Sequence, residues 1–236
     1  MRRNLWIAAA FIFVSATFLF AQPILILEGG ANYSWGSRDR MKENPVNTNI
    51  RVYNAGTDTL NVENPKPTCG CTTAPLDKNR IEPGGYANMG IRLHLNVSGG
   101  QYHKTVIINS NDPQTPNITL NLNADVNQNQ GYGRIYTRPH QFFSLGMMSQ
   151  GKSMTDSLTF FNETDKEVTL SNIVIEPKDI KLNIKNNTKI PAGGSIVVQA
   201  TYKPKTLGEF AGKITMTTSD AEKPTVEVPI WGYIIK

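Results

Sequence analysis

The strongest constraint on this chain is that it repeats itself. Asn54 closes the run Ile50-Arg51-Val52-Tyr53, and Asn162 closes Leu158-Thr159-Phe160-Phe161, at 162 − 54 = 108. Pro83-Gly84-Gly85 matches Pro191-Ala192-Gly193-Gly194 at 191 − 83 = 108, and Gly100-Gln101-Tyr102 matches Gly208-Glu209-Phe210 at 208 − 100 = 108. Ser110-Asn111-Asp112 matches Thr218-Ser219-Asp220, and Pro116 matches Pro224. Chance likeness between turn residues would not hold one offset across five landmarks. A unit of about 100 residues is a common domain size, so the repeat predicts two copies of one domain.

The apolar residues repeat in phase. Ile50 and Val52 pair with Leu158 and Phe160; Val106 and Ile108 pair with Ile214 and Met216; Ile118, Leu120 and Leu122 pair with Val226, Val228 and Ile230. Alternation with period two marks a strand with one buried face. One strand breaks phase. Met89, Ile91, Leu93 and Leu95 sit at odd positions, whereas Ile196, Val198, Ala200 and Tyr202 sit at even ones. A slip of one residue turns a strand inside out, so a bulge or a longer turn is expected in one copy. Trp35-Gly36 and Leu145-Gly146 are expected to close the first turn of each copy.

No window sustains a helical spacing of three and four. About seven short strands per copy, punctuated by turn residues, predict an all-β chain of two tandem immunoglobulin-like β-sandwiches after an N-terminal signal peptide. Neither copy has the Cys…Trp…Cys pattern of antibody domains, so apolar packing has to hold each core. The expected boundaries are a signal peptide over 1–21, a first domain over 22–126, a linker over 127–134 and a second domain over 135–236.

The signal reading rests on Arg2 and Arg3 before the apolar run Leu5 to Phe20, with Ala21 at the cleavage position. The alternative is an uncleaved anchor, for which the run is short against the roughly 20 apolar residues a membrane helix needs. No second apolar run of that length follows, so no transmembrane segment is expected in the mature chain. Removing Arg2 and Arg3 from the 24 basic residues leaves 22 against 19 acidic ones, a net of +3. That mild, scattered charge excludes the concentrated basic face that nucleic acid requires.

With these residues in view, the first copy resembles a bacterial domain-of-unknown-function family. It carries Asn54-Ala55-Gly56-Thr57-Asp58-Thr59-Leu60, Cys69-Gly70-Cys71-Thr72, Ile81-Glu82-Pro83-Gly84-Gly85 and Asn109-Ser110-Asn111. That family is similar to the HYDIN/ASH/major-sperm-protein branch of immunoglobulin-like folds. The signal ending and Asn-rich body resemble exported proteins of Bacteroidetes-type bacteria. The resemblance covers residues 24 to 126, implies fold and export, and brings no reaction with it. The second copy keeps Asn162 and the glycine turn but has Pro177 and Asp179 where the cysteines would stand.

Cys69 and Cys71 are the only cysteines. In an exported protein such a pair is commonly oxidised, and three readings stay open. They are a local staple or two packed thiols, a redox-active or partner-linking pair, or part of a soft-metal site for copper(I) or zinc. His94 and His103 lack ligand spacing to the pair. Gly70 is expected to lend the backbone the freedom to close the small ring. No nucleophile elbow, His-Glu-x-x-His or Walker loop is present, and no catalytic, cofactor-binding or metal residue is assigned. Asp112 and Asp220 recur in equivalent turns and are read as turn caps rather than calcium ligands. Tyr33, Trp35, Tyr132, Tyr136, Phe142, Phe143 and Trp231 have no alternation partner; packing between the domains is expected, with an exposed contact patch as the alternative. The reading that results is a non-enzymatic exported binding or scaffold protein of the bacterial envelope, periplasmic or at the cell surface. Its partners would be unknown envelope proteins. The alternative is a thiol-redox or copper protein using Cys69 and Cys71.

Overall fold

The computed structural model describes residues 21–39, 43–95, 100–127 and 134–236. The signal reading, apart from Ala21, most of the linker reading and Tyr132 lie outside these residues. The first copy runs β1 (Leu25–Leu27), β2 (Asn32–Asp39), β3 (Val46–Asn54), β4 (Leu60–Asn61), β5 (Lys66–Pro67), β6 (Thr72–Thr73), β7 (Arg80–Ile81), β8 (Tyr86–Leu93), β9 (Gly100–Asn109) and β10 (Asn117–Asn127). The second runs β11 (Ile135–Arg138), β12 (Phe143–Ser149), β13 (Met154–Asn162), β14 (Val168–Glu176), β15 (Lys181–Leu182), β16 (Thr188–Ile190), β17 (Ser195–Tyr202), β18 (Gly208–Thr218) and β19 (Thr225–Ile235). No helix occurs among the described residues.

Each copy is two facing sheets. In the first they are β1-β3-β8-β6 and β2-β10-β9-β5, with a small β4-β7 ribbon; in the second, β11-β13-β17-β15 and β12-β19-β18-β14-β16. The first strand of each copy changes sheets. β1 lies antiparallel to β3, and β2 then joins β10 in parallel; β11 and β12 do the same with β13 and β19. Gly29 and Gly30, at φ +75° and +79°, let the chain cross between the sheets in the first copy.

The alternation read from the sequence becomes burial. Ile50, Val52, Val106, Ile108, Leu120 and Leu122 form one core, and Leu158, Phe160, Ile214, Met216, Val228 and Ile230 the other. Ile50 stands opposite Met89, and Leu158 opposite Val198. Neither β8 nor β17 is bulged. The phase change arises before them: Ile81 and Ile190 take the same place, at 190 − 81 = 109, as do the positive-φ glycines Gly84 and Gly193, at 193 − 84 = 109. The second copy thus carries one extra residue ahead of Ile190. The offset returns to 108 at Gly100 and Gly208, which start β9 and β18.

Gly36 and Gly146 do not close turns. They lie inside β2 and β12, at φ +67° and +66°, where the parallel pairing skips between Ser34 and Ser37 and between Ser144 and Met147. A left-handed residue inside a strand pair is a bulge, and glycine takes that conformation without a Cβ clash.

Two polar devices lock each copy. Asn54 is fully buried; its Nδ2 donates to the carbonyls of Asp58 and Ile81, and its Oδ1 accepts from the amides of Ile24 and Gly56. Asn162 likewise donates to Lys166, Ile190 and Pro191 carbonyls and accepts from the Thr164 amide. Asp112 caps its turn by accepting from the amides of Gln114 and Thr115, and reaches across to the amide of Leu25. Asp220 caps through Glu222 and pairs with Arg134 just before β11, which holds its carboxyl below the usual range. Both aspartates therefore anchor the opening strand of their own copy.

Candidate functional site

Cys69 and Cys71 are joined as a disulfide, with Cα atoms 5.3 Å apart. The turn that carries them follows β5 and leads into β6. It is closed by the Thr72 amide donating to the Cys69 carbonyl at 3.3 Å. The second copy makes the same turn without sulfur. There the Ile180 amide donates to the Pro177 carbonyl, also at 3.3 Å, and the strand that follows again joins the neighbouring sheet. Gly70 is exposed, lies outside the left-handed region, and has no heavy atom within 4 Å of where a Cβ would stand. The expected backbone role for Gly70 is therefore not needed; the space beside it is open.

Since the turn forms without it and the ring is tiny, the disulfide adds little to the fold. A loop of about 15 residues yields about 3 kcal/mol when closed, and a shorter ring yields less. Replacing both cysteines by serine is expected to cost under about 2 kcal/mol, read from the guanidinium midpoint. A domain that no longer folds would contradict this.

The surroundings of the two sulfurs are specific. Both cysteines are half-buried, and Cys71 packs against the first core. The hydroxyl of Thr72, a buried residue, lies 3.2 Å from Cys69 Sγ and 3.7 Å from Cys71 Sγ. A disulfide has no S–H, so the hydroxyl is the donor. The histidines stand apart from the pair in function: the His94 amide donates to the Cys71 carbonyl as a strand contact, and His103 Nδ1 bonds Asn123 Oδ1 at 2.6 Å. No three His, Cys, Asp or Glu side chains converge as a metal site among the described residues. Among the described residues no His, Asp or Glu side chain joins the two sulfurs, which are bonded to each other.

A second region was not legible in the sequence. The two sandwiches meet around Glu28, which is 4% exposed. Its carboxylate accepts from the Arg51 amide at 2.9 Å, from the Arg51 guanidinium at 3.4 Å and from the Ser144 hydroxyl of the second copy. The Ser144 amide donates to Asp156 at 2.7 Å. Burial pushes the Asp156 carboxyl up and the His140 imidazole down. Glu43 links Arg38 and Arg138, at 3.8 and 3.4 Å. These groups line a cleft of about 990 Å³ between the copies, with Asn47, Asn49, Asn88 and Arg92 on its first-copy wall.

The aromatics outside the strand alternation divide three ways. Tyr33, Trp35 and Phe143 belong to the cores of their own copies. Tyr136 stacks on Phe161 within the second copy. Two others form the joint together with Tyr53: Trp231 stacks on Tyr53 with centroids 6.2 Å apart, and Phe142 packs against the first core over Gly29. Trp35, Phe143, Tyr136 and Trp231 are all buried, so the exposed-patch alternative fails for them. Tyr53 escaped the sequence reading because its neighbours alternate regularly.

Residues 35–126, with the cysteines inside them, match a family described as "Protein of unknown function (DUF1573)". Residues 139–232 match the HYDIN/CFA65/VesB-like Ig-like domain. The chain is a tandem of immunoglobulin-like sandwiches. No protein of curated function matches it in sequence. Among solved structures, it is similar to a protein of unknown function from Porphyromonas gingivalis W83. That match has 13% identity and a TM-score of 0.37, and covers 89% of this chain and 99% of the other. The ASH / PapD-like domain 7 of human CEP192 is 12% identical with a TM-score of 0.35, covering 44% and 86%. SSP-19, an MSP-domain protein like family member of Caenorhabditis elegans, is 11% identical with a TM-score of 0.31, covering 42% and 98%.

Proposed function

We propose that the chain is a non-enzymatic exported protein of the bacterial envelope that binds or scaffolds another envelope protein through its tandem sandwiches. One observation carries the reading. In the second copy, β16 pairs with β14 only at Val168, Thr169 and Leu170. Beyond the skip in β14, no strand among the described residues pairs with the outer side of Val174–Glu176. Val174 is 53% exposed there, with Ile173 and Ile175 half-buried beside it. An apolar sheet edge with unused main-chain groups accepts an extended strand from a partner. The first copy blunts the equivalent edge with Pro67, which has no N–H to offer. Export is supported by the Arg2-Arg3 and Leu5–Phe20 pattern and by the disulfide, which persists in oxidising compartments.

The test is cross-linking and pull-down of the tagged protein from envelope extract, beside an Ile175→Pro variant, which puts proline where the first copy has Pro67, at 175 − 67 = 108. The wild type is expected to recover a partner that the variant loses. Equal recovery by both, or turnover on a substrate panel with no partner recovered, overturns the proposal.

A further inference from the structure

We infer that Cys69-Gly70-Cys71-Thr72 is a thiol–disulfide exchange site that accepts electrons from a dithiol, with the Thr72 hydroxyl receiving the charge of the departing sulfurs. The inference stands on the surroundings of the pair and is independent of the β14 edge.

Three observations lead to it. First, the disulfide is not needed for its turn, which Pro177 and Ile180 form alone in the second copy. Second, the position after the pair is buried in both copies, but the second fills it with Ile180 and the first with Thr72, at 180 − 72 = 108. Burying a hydroxyl where an aliphatic group fits is unfavourable unless the hydroxyl is used. Third, the hydrogen-bond partners of that hydroxyl are the two sulfurs, at 3.2 and 3.7 Å. A disulfide sulfur is a weak acceptor, whereas a thiolate is a strong one and takes a charge-assisted bond. The hydroxyl therefore does more for the reduced pair than for the oxidised one. A disulfide whose reduced form is stabilised is the stronger oxidant.

A thiolate of the incoming dithiol attacks Cys69 Sγ, which does not pack against the core and lies beside the uncovered Gly70. A bond forms between the two sulfurs, the Cys69–Cys71 bond breaks, and its electron pair leaves on Cys71 Sγ, within reach of the Thr72 hydroxyl. The second thiol of the dithiol loses its proton and attacks its own partner sulfur in the mixed disulfide. That expels Cys69 as a thiolate, again beside Thr72. Two electrons pass from the dithiol, which becomes a disulfide, to the pair; the two protons lost by the dithiol end on Cys69 and Cys71 or in solvent. One hydroxyl thus serves both leaving groups.

The test uses the full mature protein equilibrated with reduced and oxidised glutathione, quenched with acid, alkylated and weighed by mass spectrometry. The wild-type pair is expected to open under millimolar glutathione. Thr72→Val, which keeps the shape and removes the donor, is expected to shift the reduction equilibrium about tenfold toward the disulfide. Thr72→Ser is expected to stay near wild type. The pH profile of iodoacetamide trapping gives a second readout: losing the hydroxyl in Thr72→Val should move the profile of the first thiol to react to higher pH, and Thr72→Ser should not. Equal equilibria for wild type and Thr72→Val overturn the inference. So does a wild-type pair that resists glutathione, even if the valine variant fails to fold.

Discussion

Asn54→Leu is expected to destabilise the first domain by about 3 kcal/mol or more, since each buried polar group left without a partner costs about 1–3 kcal/mol. The asparagine joins three segments at once: the lead into β1 through Ile24, the turn at Gly56 to Asp58, and the end of β7 through Ile81. Leucine branches at Cγ as asparagine does and is no smaller, so the loss would report the four hydrogen bonds and not a cavity. Asn54→Asp should be at least as damaging. It keeps the acceptor for the Ile24 and Gly56 amides but turns a carboxylate oxygen toward two carbonyls. Amide hydrogen exchange across a urea series, read peptide by peptide by mass spectrometry, separates the domains, because each sandwich has its own core. The first transition should move and the second should hold. An unchanged first transition would remove Asn54 from its role as a lock.

Gly56→Val should be nearly as costly, for a steric reason. A Cβ at Gly56 would collide with the carbonyl oxygen of Gln22 and stand 2.6 Å from the Ile24 nitrogen and 2.8 Å from the Pro23 carbonyl carbon. These are backbone atoms of the segment entering β1, held by hydrogen bonds from the Ala55 amide to the Ile24 carbonyl and from the Thr57 amide to the Gln22 carbonyl, both 2.9 Å. They cannot rotate aside as a side chain would. The segment must detach, at about 3 kcal/mol, the upper range for overpacking. Gly70→Val is the control, since open space surrounds that position. It should leave the urea midpoint unchanged; equal losses for the two variants would mean that the approach of residues 22–24 is not what Gly56 serves. The second copy places Thr164 two residues after its asparagine, and the hydroxyl bonds Asn162 Oδ1 at 2.7 Å. The two copies thus solve the same junction by close approach in one case and by a side-chain bond in the other.

Much of this architecture was legible because its causes are local. Period-two alternation marked the core residues, and the recurrent aspartates marked the capped turns. The one-residue phase change between β8 and β17 was visible, but its source was not. A longer connection before Ile190 and a bulge in the strand leave the same trace in sequence. Gly36 and Gly146 misled for a similar reason, since a bulge and a tight turn both ask for a left-handed glycine. Thr72 was written in the motif, yet its meaning needed the comparison with Ile180, which shows that the position is buried in both copies.

By itself the sequence determined that the chain is a duplicated all-β unit, which residues alternate into each core, and that one copy alone carries a cysteine pair. Each of these follows from spacing over a few residues or from one constant offset. Only the tertiary structure decided that Glu28 meets Ser144 across 116 residues of chain, that Tyr53 stacks on Trp231, and that the β14 edge is left open. Those contacts depend on how finished sandwiches approach each other and on which strand stops short. Both arise from the packing of whole surfaces, and no local pattern of residues encodes them.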